Sequence, residues 1–310
     1  EGDGPLAGYF DRILDDDMFG EKSYEKAECK IAKEASFDVI AKSGLNKDTI
    51  DYMLAGDLLN QIITSSFAAR ELSIPFLGLY GACSTMAESL SVGAMLVDGG
   101  HADNVLCVTS SHFSSAERQY RFPLELGNQR PPTAQWTVTG SGAAIVSANG
   151  SGPYITHVTT GKVVDYGIKD ANNMGAAMAP AAADTIYQHF SDTGFKPGDY
   201  DLIATGDLAR VGKELTDELL RGKGIDISGI FTDCGIEIYD IDRQDMHAGG
   251  SGCGCSAVVF CGYFYNMMKQ RKLNRILLVS TGALLSTTSS QQGESIPGVA
   301  HAVTIERTAM

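Results

Sequence analysis

The sequence predicts an α/β fold written twice, and three observations carry that prediction. Asp51-Tyr52-Met53-Leu54-Ala55-Gly56-Asp57-Leu58-Leu59 returns without a gap as Asp201-Leu202-Ile203-Ala204-Thr205-Gly206-Asp207-Leu208-Ala209. Further matches follow in the same order. Gly81-Ala82-Cys83-Ser84 opens an apolar segment as Gly252-Cys253-Gly254-Cys255-Ser256 does later, and Asn104 to Val108 answers Asn274 to Val279. Finally, short β-branched runs alternate with longer helix-forming runs through both copies, the pattern of a layered α/β protein.

Taken in order, the first copy gives a helix over Ser23 to Lys42, a strand over Ile50 to Ala55 and a helix over Leu58 to Leu72. A strand at Phe76 to Leu79, a helix at Cys83 to Val97 and strands at Asn104 to Thr109 and Gly142 to Ser147 complete it. The second copy opens with a β-branched strand, Tyr154 to Asp165, and an Ala-rich helix, Ala176 to Phe190. Strand Asp201 to Thr205, helix Ala209 to Leu220, the region Ile227 to Phe231, helix Ser256 to Lys269, strand Arg275 to Val279 and a last strand near Ala300 to Glu306 follow. The halves divide at residues 1–150 and 151–310. Nothing in the first copy matches the Tyr154 strand, so that strand is expected before Glu1, in keeping with a chain that opens without Met. Residues 110–135 form an excursion too long for an ordinary connection, which suits it to covering a site or an interface.

Composition narrows the function classes. A chain of 310 residues with 44% hydrophobic content buries a large core. Its formal charge of −14 argues against nucleic acid and leaves small molecules or proteins as partners. Seven cysteines without a paired pattern point to a reducing compartment. No apolar run is long enough to span a bilayer, and Glu1 begins no signal peptide. The acidic run Asp15-Asp16-Asp17 reads as a solvated loop.

Cys83 is the first candidate for chemistry. It stands between an apolar strand and an apolar helix, where free backbone N–H groups and the positive helix end favour a thiolate; the plain alternative is a small buried core residue. His247 precedes the helix that copies the Cys83 helix and is the histidine best placed to serve it, or else simply bonds loop backbone. The glycines around Gly252 and Cys253 allow close backbone approach and offer N–H groups to an anion. Cys234, His247, Cys253 and Cys255 lack the spacing of common zinc sites, and no metal site is assigned. Gly206 to Glu214 misses the phosphate-loop spacing, and Gly250 to Gly254 misses the dinucleotide fingerprint.

Gly81-Ala82-Cys83-Ser84-Thr85-Met86, the run Asp170 to Pro180, Asp233-Cys234-Gly235 and His247 to Cys255 resemble the thiolase superfamily of condensing enzymes, and more closely a branch of it found in spore-forming bacteria. The resemblance spans essentially the whole chain and implies a duplicated five-layer αβαβα fold. It also implies binding of pyridine-2,6-dicarboxylate (dipicolinic acid), free or as its calcium chelate, for uptake into the developing spore. The implied partners are the SpoVA membrane proteins at the spore inner membrane, and a second copy in a homodimer; no cofactor is implied. Departures from the enzymes are specific. Gly206-Asp207 stands where ketoacyl synthases place a histidine, Ser280-Thr281-Gly282-Ala283 where thiolases carry a second cysteine, and His247 lies one residue too close to Ser251-Gly252. The expectation is therefore a degenerate enzyme whose cleft binds ligand through Cys83, Asp207, His247, Gly252 and Cys253, with an arginine of the excursion (Arg118, Arg121 or Arg130) as counter-charge. The alternatives are an active acyl-thioester enzyme using Cys83 with His247, and a scaffold whose cleft is vestigial.

Overall fold

Asp51 and Asp201, the first residues of the repeated segment, do the same work in both halves. The Asp51 carboxylate accepts the backbone N–H groups of Asp103 and Asn104 at 2.7 and 3.0 Å. That of Asp201 accepts those of Asn274 and Arg275 at 2.6 and 3.0 Å. Each aspartate thereby sets the register of the strand that follows it against the next strand over. Asn104 consequently matches Arg275 in space, since Asp51 N–H bonds the Asn104 carbonyl and Asp201 N–H that of Arg275. The sequence comparison had paired Asn104 with Asn274, one residue off.

The computed structural model describes residues 1–120 and 130–308. Its first half runs α1 (Tyr24–Ser43), β1 (Tyr52–Gly56), α2 (Ile63–Leu72), β2 (Phe76–Gly78), α3 (Thr85–Asp98), β3 (Asn104–Ser111), α4 (Phe113–Tyr120), β4 (Gln135–Thr137) and β5 (Gly140–Ser147). The second half continues with β6 (Tyr154–Thr160), α5 (Met174–Thr193), β7 (Leu202–Thr205), α6 (Ala209–Gly222), β8 (Phe231–Asp233), α7 (Cys234–Glu237) and β9 (Gly249–Ser251). It ends with α8 (Cys253–Val258), a π-helical turn (Val259–Phe264), α9 (Tyr265–Lys269), β10 (Arg275–Ala283), α10 (Thr287–Gln291) and β11 (Gly298–Glu306).

The two large sheets repeat one plan. The first has the order β2-β1-β3-β5, and the second has β8-β7-β10-β11 in the same sense, with β6 added beside β11. In each, the first three strands are parallel and the fourth is antiparallel. Adjacent residues of one strand supply different layers, because successive side chains leave a strand on opposite faces. Leu54, Val105, Ile276 and Leu278 face α3 and the α8 segment in the core between the sheets. Met53 and Leu106 pack outward under α1 and α2, while Ile203, Leu277 and Val279 pack outward under α5 and α6. Sheets covered on both faces need continuous apolar strands, which is why these runs show no polar alternation. The result is helices, sheet, helices, sheet, helices: the five layers expected.

Where elements differ from expectation, local chemistry explains it. α1 begins where Ser23 caps the Lys26 N–H and ends at Gly44, whose φ of +71° suits the left-handed cap. The helix expected from Leu58 begins only at Ile63, because the Asp57 carboxylate takes the Leu59 and Ser65 N–H groups and Gln61 and Ile62 adopt positive φ. The Tyr154 strand stops at Thr160 and leaves only a single bridge from Val164 to Gly298. The short parallel pair β4 and β9, formed between the excursion and the glycine run, was not legible in the sequence. In the outer layer of the second half, α5 and α6 approach so closely that a Cβ on Gly212 would stand 2.7 Å from the Gly175 carbonyl oxygen.

His189 is fully enclosed in that layer, between Thr159 at 2.8 Å and Tyr200 at 2.7 Å. Burial pushes its imidazole down to about 4, so the folded state holds it neutral while the unfolded chain protonates near pH 6.5. The unfolded state binds the extra proton first, and stability falls as pH drops through this window. Denaturant unfolding should show a loss of about 2 kcal/mol from this group between pH 7 and pH 5, and His189→Gln should flatten that slope; equal slopes would refute the assignment.

Candidate functional site

The carboxyl ends of β1, β7 and β10 open toward one another, the place where parallel α/β sheets leave room for ligands. A narrow cavity of about 80 Å³ lies there. Cys83, Asp207, Ser251, Gln135 and Thr137 give it polar walls, and Leu58, Met174, Met178, Ala283 and Leu285 give it apolar ones. Ala116, Glu117 and Tyr120 of α4 close one side. α4 and Gln135, the first residue of β4, lie within residues 110–135, so described parts of that excursion line the cavity.

Cys83 sits in a tight 3-10 turn, Ala82–Ser84, just before α3. Ala82 has φ +50°, and the turn is held by Ser84 N–H and Oγ on the Gly81 carbonyl at 3.1 and 2.7 Å. Gly282 at the end of β10 must lack a side chain, since a Cβ there would lie 2.3 Å from that same carbonyl oxygen. The thiol is 8% exposed. A hydrogen bond to the Cys253 thiol, burial and the negative charge of Asp207 together push it well above an ordinary thiol. The Cys253 hydrogen bond, desolvation and the adjacent negative charge therefore all oppose the helix dipole and disfavour a thiolate here.

Asp207 organises the site. Its carboxylate accepts Thr281 Oγ1 at 2.7 Å, Ser251 Oγ at 2.9 Å and the Gly252 N–H at 3.1 Å, and it meets the Cys83 thiol. Burial raises its carboxyl while these donors pull it back down. Its main-chain carbonyl accepts Gln135 Nε2 at 2.6 Å. Because a carbonyl only accepts, that bond fixes the orientation of the Gln135 amide and leaves Gln135 Oε1 buried in the cavity region without a partner.

Of the five expected ligand contacts, Cys83 and Asp207 line the cavity, whereas Gly252, Cys253 and His247 are not among the described lining residues. The anion held by the Gly252 N–H is the protein's own Asp207. The Gly254 N–H goes to Ser111 Oγ at 2.9 Å, and the Cys253 thiol donates to the Ala82 carbonyl at 3.0 Å. Glycine is needed in this run for close packing, since a Cβ on Gly254 would lie 2.6 Å from the Gly140 carbonyl oxygen. His247 takes the plainer of its two expected roles: Nδ1 bonds the Pro131 carbonyl at 2.9 Å and Nε2 faces Asp245 at 3.3 Å. Arg118 pairs with Glu25, and Arg130 pairs with Asp245 while stacking on Trp136; neither is among the described residues lining the cavity. Arg121 lies outside the described residues. Gln135, Ser251 and Thr281 escaped the sequence reading because their roles depend on contacts across the two halves. No His, Cys, Asp and Glu cluster suited to a metal occurs among the described residues.

This architecture and this cysteine turn define a thiolase-like condensing-enzyme fold. A 3-oxoacyl-[acyl-carrier-protein] synthase III from Aquifex aeolicus shares it with a TM-score of 0.62 at 14% identity, over 92% of this chain and 85% of that one. Xanthomonas OleA in an acetamide-bound structure shares it with a TM-score of 0.63 at 14% identity, over 95% and 84%. Residues 1–306 match the stage V sporulation protein AD family, and the chain belongs to that family. The stage V sporulation protein AD of Bacillus subtilis is 50% identical over 307 residues, which cover 99% of this chain and 90% of that protein.

The shielding of Cys83 has a direct chemical test. Iodoacetamide should alkylate Cys83 slowly between pH 7 and pH 9, and Asp207→Asn should speed it by removing the charge that holds the thiol protonated. Mass spectrometry of the Cys83 peptide reads both, and a rate unchanged or slowed in Asp207→Asn would contradict this electrostatic account.

Proposed function

We propose that this member of the family is a non-catalytic binding protein for dipicolinate, taken free or with calcium, and that it serves dipicolinate uptake into the developing spore. In this reading it has no resident cofactor and works with the SpoVA membrane proteins, peripheral to the spore inner membrane, with a part in germination. No helix among the described residues is long and apolar enough to cross a membrane. The observation that carries the reading is the state of the old nucleophile. Cys83 sits at the cavity wall with its thiol held protonated, between Cys253 and the Asp207 carboxylate. A cysteine nucleophile acts as its thiolate and is usually served by a histidine; here the negative charge of the Asp207 carboxylate disfavours a thiolate beside it, and no histidine is among the described lining residues of the cavity. What remains is a narrow cavity with apolar walls and a few fixed polar groups, the kind of lining that orients a small ligand, though smaller than a typical ligand pocket.

Calorimetric titration with dipicolinate, with and without calcium, should show saturable binding that weakens about tenfold or more in Cys83→Ala. Unchanged affinity would remove Cys83 from the site, and no binding in either condition would sink the reading. Incubation with acyl-CoA and intact-mass measurement should leave the protein unmodified, because an acyl adduct on Cys83 belongs to the enzyme alternative.

The homodimer is part of the same proposal. β2 is an edge strand of the first sheet, and Leu77 and Tyr80 beside it are 45% and 64% exposed, an apolar edge of the kind that a second copy covers. Sedimentation at micromolar concentration should give twice the chain mass, and a single-chain species would exclude the dimer.

A further inference from the structure

The two halves differ in their outer helices. In the second, α5 and α6 close on each other through Gly175 and Gly212. In the first, neither α1 nor α2 contains glycine, and a groove of about 370 Å³ lies between them. Its α1 wall carries Lys26, Lys30 and Lys33, spaced i, i+4, i+7 along one helical face. Its α2 wall carries Ile63, Thr64 and Phe67, with the Phe67 ring 45% exposed.

Two features show that this groove is chemically unfinished. Thr64 is 1% exposed, yet its hydroxyl has no hydrogen-bond partner. Buried hydroxyls are rarely left without partners, so water or a group that arrives from outside would satisfy this one. Lys30 is engaged by Glu21 and the Phe19 carbonyl, and Arg70 by Glu71 and the Phe67 ring. Among the described residues, no ion pair engages the ammonium groups of Lys26 or Lys33. On a chain with a formal charge of −14, these two lysines offer an acidic group local attraction.

We propose that the α1–α2 groove docks an acidic peptide segment of a protein partner. Carboxylates of that segment pair with Lys26 and Lys33, an apolar side chain rests on Ile63 and Phe67, and a carbonyl accepts the Thr64 hydroxyl. A peptide fits better than a lipid surface because the unpaired hydroxyl is recessed in a cleft, and because Glu21, Glu25 and Glu71 are already paired with Lys30, Arg118 and Arg70, which leaves Lys26 and Lys33 as separate points for individual carboxylates.

The test places a benzoylphenylalanine at Phe67 of the full chain in sporulating cells, with the same probe at exposed Tyr187 as control. After illumination, the attached segment is sequenced by mass spectrometry. The expected result is one protein cross-linked through a segment with at least two Asp or Glu residues. Its yield should fall about tenfold in the double variant K26E/K33E and recover when those acids are changed to Lys. Cross-links to lipid, a segment without acids, a yield equal to that at Tyr187, or no effect of K26E/K33E would each overturn the proposal. Thr64→Val separates docking from a structural role: it should raise the melting temperature of the free protein by removing an unpaired hydroxyl, yet lower the cross-link yield. A fall in both would mark Thr64 as structural.

Discussion

The buried carboxylate of Asp207 is the interaction on which the site depends. Taking a carboxylate out of water costs several kcal/mol, and each hydrogen bond to a charged group returns about 1.5–3 kcal/mol. Three donors, from Thr281, Ser251 and the Gly252 amide, therefore come close to balancing it. They come from β10, β9 and the head of α8, so satisfying one charge fixes three segments together. The Gln135 amide ties a fourth, β4, to the same residue through its carbonyl. The same charge adds to the Cys253 hydrogen bond and to burial in disfavouring a Cys83 thiolate, so the residue that shapes the cleft also bears on the cysteine in its wall.

The twin of this residue shows how a duplicated framework acquires an asymmetric site. Asp57 occupies the matching place in the first copy and is also buried, but its carboxylate stays local, accepting Leu59 N–H, Ser65 N–H and Ser65 Oγ. It shapes the turn before α2. It also raises, by like charge, the neighbouring Glu28, whose carboxyl is pushed up to about 8 chiefly by burial. Glu28 in turn accepts Ser115 Oγ at 2.7 Å and so holds α4 over the cavity. Two aspartates of common origin thus serve different ends. One reaches across the copies to build the cleft, and the other supports the helix that covers it.

Most of the layer plan was legible because it rests on local patterns: the apolar strands, the Ser23 cap and the repeated Asp51 and Asp201. Cys83 and Asp207 were legible for the same reason, as positions fixed by the repeat. The use of the glycine run was not legible. Its N–H groups suit an anion, but sequence cannot show that Asp207 and Ser111 reach them first. His247 depended on the path of the loop around Pro131, and the start of α2 on a side chain competing for backbone N–H groups.

The sequence by itself determined the duplicated α/β plan, the apolar strands of two doubly covered sheets and the place of a cysteine at the head of a central helix. These follow from periodicity and from short-range backbone chemistry, which any segment expresses alone. Only the tertiary structure decided that the cysteine is buried against Cys253 and Asp207, that Asp207 gathers the loops of both halves, and that the first pair of outer helices leaves a groove. Each of those outcomes is a balance of burial, charge and close approach between residues far apart in the chain, and that balance exists only once the two copies have packed.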